Sequence, residues 1–129
     1  IDKRRPRPNV AEVMNIIGDV DNKDVIIVDD IIDTAGTVVA ASVALKKAGA
    51  RRIFVCCSHP VLSGPSIERI ENSPIEEVVT TNSIKLPEEK KSPKIIQLTI
   101  AKILGQGMLN IIDGKPISTL FSYDPKNRL

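Results

Sequence analysis

The apolar positions of this chain come in short blocks set apart by polar punctuation. Four blocks have strand length: 25–28, 53–57, 75–80 and 95–98. Brief, β-branched runs such as VIIV and IFVCC read as strands buried on both faces, as in a parallel sheet. Between the blocks the spacing turns helical. Residues 37–48 carry Val39, Val43, Lys46 and Lys47 at helical intervals, with Gly49 placed just past the end. Residues 66–72 predict a short helix after Ser63, Gly64 and Pro65, and 99–109 predict one with Ile100, Ile103 and Leu104 on one face. Residues 10–17 fit a helix or a strand equally well. Residues 81–93 are polar and broken by Pro87 and Pro93, so they read as a loop. Asp113 and Gly114 signal a turn before a short apolar stretch at 117–121, and 125–129 are expected to fray. Strands alternating with helices predict an α/β fold.

Composition narrows this. The 129 residues suit one domain, and 42% hydrophobic with 26% charged residues excludes a disordered chain. Phe54, Phe121 and Tyr123 are the only aromatics against 31 Ile and Val, so the core is aliphatic. No apolar run reaches the roughly 18–20 residues of a membrane span, and no signal peptide is evident. Cys56 and Cys57 are adjacent in an apolar run and form no metal-binding pattern. On a strand they point to opposite faces, which suits buried thiols and a reducing cytoplasm. The net charge of +2 is uneven. Lys3, Arg4, Arg5 and Arg7 against Asp2 give the first eight residues +3, so the rest sums to −1. Such a patch, with no interleaved aromatics, reads as a solvated basic end and makes a poor nucleic-acid site. Neither a nucleic acid nor a membrane is an expected partner.

Chemistry concentrates in VIIVDDIIDTAGT at 25–37. Read physically, it is a buried strand, then acids, then a loop of small residues, then a helix. Ligands of open α/β sheets sit beyond the carboxyl ends of strands. The helix start offers unpaired N–H groups and a partial positive charge. Ala35 and Gly36 let an anion approach the backbone, while Thr34 and Thr37 add hydroxyl donors. Asp29 and Asp30 would repel a phosphate but accept hydrogen bonds from sugar hydroxyls. A phosphorylated sugar fits both halves. The plainer alternative makes Asp33 or Thr34 a helix N-cap, with the acids merely ending a strand.

The thirteen residues resemble the phosphoribosyl-pyrophosphate binding motif of the type I phosphoribosyltransferase fold. IDKRRPRPNVAEVMNIIGDV at 1–20, SHPVLSGPSIERI at 58–70, VVTTNSIKLPEEKK at 78–91 and SxLFS at 118–122 resemble the ribose-phosphate pyrophosphokinase family, in its bacterial form. The resemblance runs in order along nearly the whole chain. It implies a mainly parallel sheet flanked by helices. It implies transfer of the diphosphoryl group of ATP to ribose 5-phosphate, with magnesium, giving 5-phosphoribosyl 1-pyrophosphate and AMP. By resemblance, Asp33, Thr34, Ala35, Gly36 and Thr37 hold the 5-phosphate, and Asp29 and Asp30 hold ribose hydroxyls. Lys3 and Arg5 match the catalytic basic pair of the family's flexible loop, and Arg5 also counts among the ribose 5-phosphate contacts. Fixed cations there stabilise charge that spreads over the transferring group.

His59, the only histidine, reads as a structural residue before a turn, and Ser63 with Gly64 and Pro65 as a turn and N-cap. Thr81, Asn82 and Ser83 are loop residues able to line a site. Family members are two-domain proteins, so residues 1–129 are expected to form part of a C-terminal domain, beginning at Ile1 inside it. The expected absences are its first strands, the N-terminal ATP-binding domain and any metal ligand. The fragment alone is expected to be inactive, with an open sheet edge. The resemblance also implies a homo-oligomer, a hexamer. Two alternatives share the motif: a phosphoribosyltransferase that consumes the sugar diphosphate, and a catalytically silent regulatory homologue.

Overall fold

The computed structural model describes residues 2–4 and 13–121. Two compact units divide at residues 98 and 99. In the first, β1 (Asp2–Arg4) and β2 (Val13–Asn15) form a small antiparallel ribbon. Then follow β3 (Asp24–Ile32), α1 (Gly36–Lys47), β4 (Arg52–Pro60), α2 (Ser66–Glu71), β5 (Glu77–Thr81), a 3₁₀ turn (Glu88–Lys90) and β6 (Ile95–Leu98). The second unit contains α3 (Ala101–Ile112) and a 3₁₀ turn (Ile117–Leu120).

Strands β3 to β6 form one parallel sheet in the order β3-β4-β5-β6. The predicted blocks at 25–28, 53–57 and 95–98 lie within β3, β4 and β6, and the block at 75–80 overlaps β5, which starts at Glu77. The strand at 95–98 has the predicted bounds, and β2 resolves part of the ambiguous 10–17 stretch as strand. Strands β3 and β4 run further than their apolar runs. Asp29 and Asp30 are paired within the last half of β3, and His59 lies within β4. Parallel pairing tolerates these polar residues because the strand ends are open to solvent.

The core lies on one side of the sheet. Val55, Cys57, Ile32 and Val78 meet Val38 of α1, Ile70 of α2 and Leu62, with Leu86 of the third crossover packed against them. A second cluster joins Leu45, Ala50 and Ile53 with Val20 and Val25. The opposite face presents Ile26, Val28, Ile96 and Leu98, with Val28 78% exposed. Burial on both faces is therefore not what the described residues show. The reason is topological. The strands are added in one direction, so crossovers of one hand put every connection on the same side.

At its starting end the sheet is fastened by charge. Arg51 donates from Nε and Nη2 to the Asp24 carboxylate at 2.8 Å each, and Arg52 donates to it as well. These bonds hold the Asp24 carboxyl well below its usual range. Gly49, with φ +93°, is the residue past α1 and sits against Asp21. The paired cysteines divide as predicted: Cys57 is buried in the core and Cys56 half-buried on the open face.

Candidate functional site

The site is the end of β3, the loop at 33–37 and the start of α1. Helix α1 begins at Gly36, and its N-cap is Ala35, with no side-chain cap hydrogen bond and no acid in its first turn. This removes the plainer reading in which Asp33 or Thr34 caps the helix. Backbone N–H groups at a helix start have no partner within the helix and carry partial positive charge. Lys46 and Lys47 occupy the last turn, complementing the other end of the dipole.

Ala35 adopts φ 61°, ψ 3°, a left-handed conformation costly for a residue with a Cβ. Its methyl is buried, only 4% exposed, within the same core as Ile32 and Val38. Left-handed geometry followed by helix is the arrangement that turns successive N–H groups toward one point, an anion-binding nest. At Gly36, a Cβ would meet Thr34 Oγ1 at 3.7 Å and Arg69 Nη1 at 3.9 Å. These are ordinary contacts, so packing does not demand a glycine. Its smallness leaves the space between those two polar groups open.

The two acids are oriented by the backbone. Asp29 Oδ1 accepts from the Asp30 N–H at 2.9 Å, and Asp30 Oδ1 accepts from the Ile31 N–H at 2.8 Å. One oxygen of each carboxylate is thereby engaged by the next residue's N–H. Among the described residues, no three His, Cys, Asp or Glu side chains gather as a metal site. Two carboxylates and bound phosphates are enough to hold a magnesium ion that keeps its waters. The described residues build no cage for one.

The structure brings together Asp29, Asp30 and the five residues 33–37. Lys3 pairs through its backbone with Met14 in the antiparallel ribbon, and Arg5 lies outside the described residues.

Two further residues join the cradle from the next loop. Ser63 donates its hydroxyl to the Asp33 carboxylate and its N–H to the Asp33 carbonyl at 3.0 Å. The stretch 63–65 is a turn and N-cap as expected: Pro65 is the N-cap of α2, without a side-chain bond, and the Ser66 N–H donates to the Ser63 carbonyl at 3.3 Å. Arg69 of α2 donates from Nη1 to the Thr34 carbonyl at 2.9 Å. Neither contact has a local signature, because the partners lie 30 and 35 residues apart. The βαβ order was the available signal, since it sets the loop after β4 beside the loop after β3.

Thr81, which ends β5 where a loop residue was expected, and Ser83 brace β4. Thr81 and Ser83 donate to the Ser58 carbonyl at 2.6 and 2.8 Å, and His59 Nδ1 lies 2.9 Å from Ser83 Oγ.

The chain is similar to known proteins along most of its length. It is 60% identical over 121 residues to ribose-phosphate pyrophosphokinase 1 of Listeria innocua, covering 94% of this chain and 38% of that protein. It is 56% identical over 122 residues to ribose-phosphate pyrophosphokinase of Bacillus subtilis, covering 95% and 38%. The chain thus spans about two-fifths of the length of these curated relatives. A crystal structure of phosphoribosylpyrophosphate synthetase from Mycobacterium smegmatis superposes with a TM-score of 0.74 at 34% identity, over 76% of this chain and 33% of that one. The family model of the phosphoribosyl synthetase-associated domain matches residues 4–122, which take in the whole strand, acid pair, loop and helix start. By that match, the chain belongs to the phosphoribosyl synthetase-associated domain family.

Proposed function

We propose that this chain is the ribose 5-phosphate half of a ribose-phosphate diphosphokinase. The full protein would transfer the diphosphoryl group of ATP to ribose 5-phosphate, giving 5-phosphoribosyl 1-pyrophosphate and AMP. The observation that carries this is the uncapped start of α1, with Ala35 in a left-handed turn, directly after the strand that carries Asp29 and Asp30. Residues 33–37 would take the 5-phosphate, and Asp29 and Asp30 the ribose hydroxyls. Lys3 and Arg5 would supply positive charge to the transferring group, with Arg5 also touching ribose 5-phosphate. Identity to ribose-phosphate pyrophosphokinases at 56–60% supports the same reading.

We place the chain in the C-terminal part of a type I phosphoribosyltransferase-like fold. The bare apolar face supports this. Covering it requires chain that winds from the free edge of β3 in the other direction. The ATP site then lies in another domain, and magnesium enters as the complex of ATP. A homo-oligomer, a hexamer by family resemblance, working in the cytoplasm completes the proposal.

The test is product analysis with the full-length protein. AMP and the sugar diphosphate should form from ATP and ribose 5-phosphate, and residues 1–129 alone should form neither. Consumption of the sugar diphosphate with a nucleobase would instead assign a phosphoribosyltransferase. Binding without turnover in either assay would assign a silent regulatory homologue.

A further inference from the structure

We infer that Arg69 is a positioning residue for the phosphate cradle, acting through the peptide plane between Thr34 and Ala35. The inference rests on reading that cradle as a ribose 5-phosphate site. In a planar trans peptide, the carbonyl of one residue and the N–H of the next point in opposite directions. The described residues contain no cis peptide. Fixing the Thr34 carbonyl therefore fixes the direction of the Ala35 N–H. Arg69 Nη1 holds that carbonyl at 2.9 Å. The N–H on the far side is then aimed away from Arg69 and kept as a donor. Rotation of this peptide would relieve the left-handed strain at Ala35. It would also turn a carbonyl oxygen toward the space where the N–H stood, and that oxygen would repel an anion.

The holder is itself held. Arg69 comes from α2, and the loop before α2 is tied to the cradle strand by backbone bonds from Leu62 to Ile32 and from Ser63 to Asp33, each 3.0 Å. Leu62 is fully buried. Loop and helix therefore move with the end of β3. Arg69 also brings charge. Among the described residues no carboxylate pairs with it, and its Nη1 lies 3.9 Å from where a Gly36 Cβ would stand. Lys94 of the following crossover closes the end of α2 by donating to the carbonyls of Ile70 and Ser73 at 3.3 and 3.1 Å. The helix that carries Arg69 is thus anchored at both ends.

The experiment uses the full-length protein with Arg69→Ala, Arg69→Met and Arg69→Lys. Arg69→Met keeps the stem and so guards against a folding defect. The KM for ribose 5-phosphate should rise about tenfold in Arg69→Ala and Arg69→Met, while kcat and the KM for ATP stay within about twofold. Arg69→Lys, which keeps a charged donor, should recover to within about threefold of the parent. An unchanged ribose 5-phosphate KM in Arg69→Met would overturn the inference. So would a parallel loss toward both substrates together with a lowered melting temperature, since that marks a merely structural residue. If the parent itself does not take ribose 5-phosphate, the reading of the cradle falls and this inference with it.

Discussion

Gly36→Ala separates what the fold needs from what the ligand needs. The added Cβ would make contacts of 3.7 Å to Thr34 Oγ1 and 3.9 Å to Arg69 Nη1, both comfortable. Position 36 opens α1 with ordinary helical φ, so alanine is not strained there. Replacing glycine by alanine in a helix gains about 0.5–1 kcal/mol, and the first helical position takes the lower end. The melting temperature should therefore rise by roughly 1–3 °C. The same methyl occupies the space between the Thr34 hydroxyl and the Arg69 guanidinium. A phosphate held by the loop would lose close approach to the backbone. One charge-assisted hydrogen bond is worth about 1.5–3 kcal/mol, so affinity for ribose 5-phosphate should drop roughly ten- to a hundredfold. Calorimetry of ribose 5-phosphate binding, beside a thermal melt of the same full-length preparations, reads both terms. A raised melting point with unchanged affinity would sink the cradle reading. A lowered melting point would sink the packing argument beneath it.

Gly49→Ala should behave in the opposite way, since φ is +93° and the new Cβ would press on the Asp21 side chain and come within 3.4 Å of its Cα. It should lose at least about 1–2 kcal/mol, visible as an earlier urea midpoint. The Cys57 thiol is pushed up to about 11, mainly by burial. The unfolded chain releases that proton near its ordinary value of 9.0 while the folded chain keeps it. Stability from this group is therefore full below pH 9 and declines toward pH 11, and Cys57→Val should flatten that slope in urea titrations at stepped pH. In the full-length protein, Asp29→Ala should raise the KM for ribose 5-phosphate, whereas Lys3→Ala should lower kcat and leave ribose 5-phosphate binding nearly intact. Steady-state kinetics showing equal effects on binding in both variants would refute that division of roles.

The local features of this fold were legible because each has a short-range cause. The aliphatic runs at 25–28 and 95–98 could satisfy themselves only in a sheet, and Gly49 marked the end of α1 because the chain must turn left-handed there. The limits of β3 and β4 were not legible. Pairing with a neighbouring strand carries Asp29 and His59 into the ladder, with Asp30 inside the same strand, and no local propensity reports a partner's register. The cradle was half legible. Asp33 to Thr37 announced small residues ahead of a helix, but Ala35 as a left-handed cap has no sequence signal, since glycine is the residue that favours that conformation. Ser63 and Arg69 were invisible because their contacts exist only once two crossovers are stacked. The burial of one face alone was likewise a property of strand order, which no single run of residues encodes.

The place of β3 at the rim of its sheet bears on hydrogen exchange. Among the described residues, β3 pairs only with β4, so the amides on its other side have no ladder partner. Opening free energies vary across a structure and are lowest where backbone bonds face solvent. The strand that carries Asp29 and Asp30 is then less protected than the two inner strands, with deuterium entering it before β4 or β5. Whatever seals that rim would slow exchange in β3 first, and so would steady the acid pair before it touched any ligand.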